Sequence, residues 1–167
     1  MTIDPQTTQY ILKQVRELEE SIKLRDDLLI VVLRFHLIAE NLIERFITAK
    51  LPKGNVLIEQ ARLSFAQKLA VADSMGVIEP ELITALSRLN GLRNKCAHTK
   101  GRQVSLGDLD AIGEPLKMEF CSAKPDPDET VVNQVGLAAG LFGSIQFRFL
   151  NHLAPLELPS TKNDQST

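Results

Sequence analysis

Residues 28–47 read LLIVVLRFHLIAENLIERFI, twenty residues long enough to span a bilayer but too charged to do so. Arg34, Glu40, Glu44 and Arg45 lie inside this stretch, and its longest unbroken apolar run, Leu28 to Leu33, is six residues. A bilayer span wants about 20 mostly apolar residues with few or no charges. The segment therefore predicts a core helix of a soluble protein, apolar nearly all round and hence the central, most buried helix. Residues 131–150, VVNQVGLAAGLFGSIQFRFL, carry Asn133, Gln134, Gln146 and Arg148 and predict a second core helix in the same way. Aromatic residues are 5% of the chain and Trp is absent, which weighs against a small all-β domain. The 167 residues fit one domain, and a domain of this size needs no disulfide or metal to hold it.

Proline, glycine and capping residues punctuate the rest. Asp4-Pro5 predicts an N-cap and a first helical position. Tyr10, Ile11, Val15, Leu18 and Ile22 then recur at helical spacing to about Leu24, opposite a charged face. The second helix is expected over about Asp26 to Lys50, with a breaker at Leu51-Pro52-Lys53-Gly54-Asn55. A third is expected over about Val56 to Ser74, closed by Met75-Gly76. Glu79-Pro80-Glu81 opens a fourth, with acid at its positive end, carrying Leu82, Leu86, Leu89, Leu92 and Cys96 to near Gly101. Between 101 and 128 no long period holds; a short helical turn is expected around Asp108 to Ile112, then the extended link Lys124-Pro125-Asp126-Pro127-Asp128. A fifth long helix is expected from near Asp128 to about Leu153. The sum is an all-α, up-and-down bundle of about five helices, a single domain over 1–153, followed by a flexible tail over 154–167 without a core face.

A net charge of −2 excludes a generally polybasic nucleic-acid coat and a polyacidic tail protein. Two cysteines, Cys96 and Cys121, make no disulfide framework and fit a reducing compartment, and MTIDPQTTQY lacks a secretion pattern, so a cytoplasmic protein without a membrane partner is expected. No GxGxxG and no phosphate-cradling GK[ST] loop occurs, and His36, His98 and His152 lie far apart without metal-ligand spacing, so neither cofactor nor metal is expected. Cys96 and His98, two residues apart, diverge by about 200° on a helix, which makes Cys96 a small core residue rather than half of a catalytic pair.

Charge is nonetheless concentrated. No Asp or Glu occurs between Glu81 and Asp108, so this 26-residue window holds Arg88, Arg93, Lys95, Lys100 and Arg102 at net +5. Lys100 and Arg102 suit a helix C-terminus; Arg88 and Arg93 lie mid-helix and point to an anion site, with phosphate as the expected anion. Arg93 and His98 are about 140° apart around one helix, while Asn94 and His98 stack one turn apart. Arg93 and His98 could both line a groove where two such helices meet. The alternative is a polar network capping a helix end.

Arg93-Asn94-Lys95-Cys96-Ala97-His98 resembles the Arg-x4-6-His signature of HEPN domains, and Leu86–Asn90 with Gly91-Leu92-Arg93-Asn94 resembles their LxxLNxLRN lead-in. The flanks, Phe65 through Gly76-Val77-Ile78 and then Val104-Ser105-Leu106-Gly107-Asp108, resemble the mannitol operon repressor (MtlR-like) branch, so that the likeness covers about 28–120. It implies a helical bundle pairing as a homodimer about the motif helices. In catalytic members it implies a metal-independent endoribonuclease, common as a toxin or defence factor, with a cognate antitoxin as a partner. His98 would then be the acid–base group, Arg93 the phosphate clamp and Asn94 the residue that orients either. Arg88, Lys95, Lys100 and Arg102 would hold RNA phosphates. Lys100 stands where nucleotidyltransferase-paired members carry a tyrosine. The MtlR-like flanks imply a second reading, a non-catalytic regulatory module for transcription or stress response that binds a protein or nucleotide.

Helix two offers a supporting shell. His36, Glu40 and Glu44 follow one another at i, i+4 and i+8 on an apolar helix, and a buried carboxylate needs a partner. Arg93 is the candidate partner of Glu40; Arg34 or His36 is the alternative. The glycines of the fifth helix, Gly136, Gly140 and Gly143, fit a close backbone approach, within the chain or across a dimer seam.

Overall fold

The computed structural model describes residues 4–22, 27–118 and 131–158. These form seven α-helices: α1 (Pro5–Ser21), α2 (Leu28–Lys50), α3 (Gly54–Ala61), α4 (Phe65–Ser74), α5 (Pro80–His98), α6 (Leu106–Gly113) and α7 (Val131–Glu157). A single 3-10 turn, Glu114–Leu116, follows α6, and no strand occurs among the described residues. The all-helical class is as expected, with more and shorter helices than the five foreseen. No helix of the described residues is long and apolar enough to cross a membrane.

The extra helix comes from residues 56–74, which divide instead of running through. Arg62 adopts a left-handed φ of 47°. Ser64 then starts α4 with a capping box, its Oγ accepting from Gln67 N (3.4 Å) while Gln67 Oε1 accepts from Ser64 N (2.9 Å). The α2–α3 corner has a steric cause. A Cβ on Gly54 would run into the Ile47 carbonyl and the Thr48 backbone, so only glycine lets α3 leave the end of α2 so abruptly.

The centre is a pair of helices, not one. α2 and α7 pack along each other, Phe35 stacking on Phe142 (centroids 4.3 Å apart) and Phe46 meeting Phe149 edge-on (5.9 Å). α2 is not buried all round, since Ile30, Leu33 and Leu37 stay exposed on one side. α1 lies on α7, α4 and α5 cover the other side of α2, and α6 with the 3-10 turn closes on α5.

The chain also stays ordered beyond the expected boundary at 153. Ala154 is fully buried, and Glu157 accepts from Arg45 Nε (2.9 Å) and from the Tyr10 hydroxyl (2.5 Å), tying α7 to α2 and α1. His152, in the last turns of α7, pairs with Glu79 at the start of α5 (3.2 Å). The start of the fifth long helix near Asp128, Cys121, the 124–128 link and residues 159–167 lie outside the described residues.

Candidate functional site

α5 is built from its N-terminus by Glu79 and Pro80 and is fixed in the bundle by Leu82, Ala85, Leu86, Leu89 and Leu92. Those buried positions leave Asn90, Arg93 and Asn94, at i, i+3 and i+4, on one shared face. Arg93 is exposed and donates from Nη1 to Asn94 Oδ1 (3.2 Å). Among the described residues no carboxylate pairs with Arg93. His98, the last residue of α5, is exposed, and no hydrogen bond or ion pair joins it to Arg93. One chain thus brings Arg93 and Asn94 together and leaves His98 apart.

The basic window divides into spent and free charges. Arg88 donates to Glu114 Oε2 (2.5 Å) and to the Ala111 carbonyl. Arg102 donates to Asp108 Oδ1 (2.6 Å), whose other oxygen caps α6 through Ser105. Of the four proposed phosphate ligands, Arg88 thus clamps α5 to α6 and the 3-10 turn, and Arg102 ties the α5–α6 loop to α6. Burial pushes the Asp108 carboxyl up, but the Ser105 hydrogen bonds and the Arg102 charge outweigh it and hold it below its ordinary value. Lys95 and Lys100 are exposed with no carboxylate partner among the described residues.

Glu40 does not meet Arg93. Its Oε1 lies 2.6 Å from Lys68 Nζ, and Glu44 Oε1 is equally close to the same ammonium. Lys68 is only 8% exposed, and the two acids reach it because they stand one turn apart on α2, facing α4. His36 is also buried, its ring 4.3 Å from that of Phe65 and its Nε2 3.1 Å from Asn90 Oδ1. Burial pulls the His36 imidazole below its ordinary value; the Asn90 hydrogen bond and Glu40 oppose this, and the Arg93 and Lys68 charges reinforce it. Asn90 thus ties this face of α5 to the buried His36 of α2, while the Lys68 triad joins α2 to α4.

Asn90 and Lys68 are the site residues that sequence reasoning missed, though a signal for Lys68 was present. It interrupts the stripe Phe65, Leu69, Ala72, and a lysine inside an apolar stripe calls for a buried acid as surely as Glu40 calls for a buried base. Cys96 packs at the edge of the core, half-exposed. Among the described residues no three His, Cys, Asp or Glu side chains converge as metal ligands. No protein-family model, curated protein or solved structure matches this chain.

Proposed function

We propose that the protein is a HEPN-type metal-independent endoribonuclease, a cytoplasmic toxin or defence factor acting as a homodimer of up-and-down bundles. The observation that carries this reading is the state of Arg93: exposed, unpaired with any carboxylate of the described residues, and oriented by Asn94. Its guanidinium is free to bind a phosphate bidentately. His98 adds an exposed imidazole at the end of the same helix. Their divergence on α5 supports a composite groove formed by two copies, and the exposed stripe of Ile30, Leu33 and Leu37 on α2 offers apolar surface for pairing.

In this chemistry the ribose 2′-oxygen attacks phosphorus and the P–O5′ bond breaks. Histidine takes the 2′-hydroxyl proton, and an imidazolium returns a proton to the departing 5′-oxygen. Arg93 stabilises the charge gathered on the phosphorane-like state. The products are a 2′,3′-cyclic phosphate and a 5′-hydroxyl. The test is RNA cleavage in EDTA. His98→Ala and Arg93→Ala should each lower the rate by at least about 100-fold, and a 2′-deoxy sugar at the cut site should block it. Full activity in a folded His98→Ala protein rejects the assignment. A second reading, the non-catalytic regulatory module, is favoured by one observation: Arg88 and Arg102 are already neutralised by Glu114 and Asp108. RNA left intact by the wild-type protein would select it.

A further inference from the structure

A groove runs between α4 and α5 beside the Arg93 face of α5. Leu69 and Ala70 of α4 and Ile83 of α5 give it apolar walls, and Asp73, Ser87 and Asn90 supply polar groups. Its volume of about 210 Å³ is below the roughly 300–1,000 Å³ that drug-sized ligands take, so it suits one small planar group rather than a whole cofactor. Ile83 to Asn90 is seven residues, about 10 Å of helix, and Arg93 stands one turn beyond Asn90.

The polar groups are set for a ligand that both donates and accepts. The buried His36 holds Asn90 by its oxygen, Nε2 standing 3.1 Å from Oδ1, which assigns the amide N–H2 to the other side. That Nδ2 has no partner among the described residues and is not sealed from solvent. Ser87, one turn before Asn90 on α5, adds an exposed hydroxyl. Asp73 is exposed, and its carboxylate makes no hydrogen bond or ion pair among the described residues. An unpaired acid in a groove that leads away from Arg93 repels phosphate and attracts N–H donors.

We propose that this groove takes a guanine base, next to the phosphate that Arg93 binds. The inference rests on the reading of Arg93 as a phosphate ligand and names the nucleotide to which that phosphate belongs. Of the four RNA bases only guanine presents two adjacent N–H donors, N1–H and N2–H2, to match both oxygens of the Asp73 carboxylate. Its O6 and N7 are acceptors for the Asn90 N–H2. Laid this way, the Watson–Crick edge points along the groove, and the five-membered ring, with its sugar and phosphate, points toward Arg93. Reading an unstacked base by its edges is the usual route to sequence preference in RNA.

The experiment is a two-dimensional NMR titration of the full chain with the 5′-monophosphates of guanosine, inosine and adenosine. Inosine keeps N1–H, O6 and N7 and lacks only the 2-amino group. Guanosine monophosphate should shift amides of 69–73 and 83–93 and bind about tenfold more tightly than the other two, the scale of a hydrogen bond to a charged group. Asp73→Ala, at an exposed position, should erase that margin, while Arg93→Ala should weaken all three nucleotides and keep it. The pentanucleotide UUGUU should bind more tightly than guanosine monophosphate; equal affinity overturns RNA as the source of the base. Equal binding of the three monophosphates, a margin that survives Asp73→Ala, or no saturable binding overturns the proposal, whether or not the chain cleaves RNA. A margin that depends on Asp73 in a chain that leaves RNA intact supports the guanine groove and removes the ribonuclease reading alone.

Discussion

Replacing Lys68 by methionine tests the ion triad that joins α2 to α4. The ammonium is 8% exposed and lies 2.6 Å from both Glu40 and Glu44. Its removal leaves two like charges one turn apart with nothing between them. Losing one partner of a fully buried pair costs about 3–5 kcal/mol. The two acids keep 27% and 31% of their side-chain exposure, so water screens part of the loss and about 2 kcal/mol is expected. For a domain of this size that lowers Tm by roughly 4–8 °C. Calorimetry near neutral pH measures it, and Lys68→Met combined with Glu40→Gln and Glu44→Gln should recover most of the fall, because no uncompensated charge remains. Burial pulls the Lys68 ammonium down, but the hydrogen bonds and charges of Glu40 and Glu44 outweigh it and hold it above its ordinary value. A raised lysine contributes its stability fully below the unfolded value of about 10.4 and loses it as pH rises through the folded one. The gap between wild type and Lys68→Met should therefore stay flat through neutral pH and close only in alkali. An unchanged Tm for Lys68→Met, or a gap that closes already at neutral pH, would refute the reasoning.

Truncation after Leu153, silent if the tail began there, should cost about 2 kcal/mol or more, because it strips Arg45 and Tyr10 of their shared carboxylate partner and uncovers the site of Ala154; urea denaturation reads the loss. Acidification should destabilise in two steps visible in a pH series of Tm. Below about 6.5 the buried His36, depressed in the folded state, must take a proton it binds more readily when unfolded. Below about 4.3 the Glu157 carboxyl, held down chiefly by the Arg45 hydrogen bond, loses its contribution as pH falls through its folded value. His98→Ala and Arg93→Ala should leave the unfolding free energy within about 0.5 kcal/mol of wild type, since both side chains are exposed.

What was legible tracks the strength of local signals. Asp4 caps α1 and Pro80 opens α5, because a cap and a first-turn proline act on their own backbone alone. The 56–74 region misled because its apolar stripe runs on through the break, although Ser64-Phe65-Ala66-Gln67 carries a capping-box signature that outranks it. Ala154–Glu157 looked featureless because the partners that hold Glu157, Arg45 and Tyr10, lie more than a hundred residues away. Pairing is the part a linear pattern leaves open: Glu40 chose Lys68 over Arg93 because α4, rather than α5, faces that turn of α2.

On the proposed ribonuclease reading, the divided charge of the basic window also bears on whether one chain could act alone. With Arg88 and Arg102 held by Glu114 and Asp108, the surplus left on the segment is Arg93, Lys95 and Lys100. Arg93 and Lys95 diverge by about 200° around α5, so they do not converge on one phosphate. A single helix end therefore has one oriented guanidinium and a histidine about 140° away from it. Two helix ends meeting about a two-fold axis would double both groups and could face the arginine of one copy with the histidine of the other. Activity and assembly are then linked: cleavage per chain should fall on dilution with the same midpoint at which sedimentation shows the pair dissociating, while exposed stripe substitutions such as Leu33→Glu and Leu37→Glu should lower both together. A chain that cleaves at full rate while sedimenting as the 18.5 kDa species would break that link and with it the composite groove.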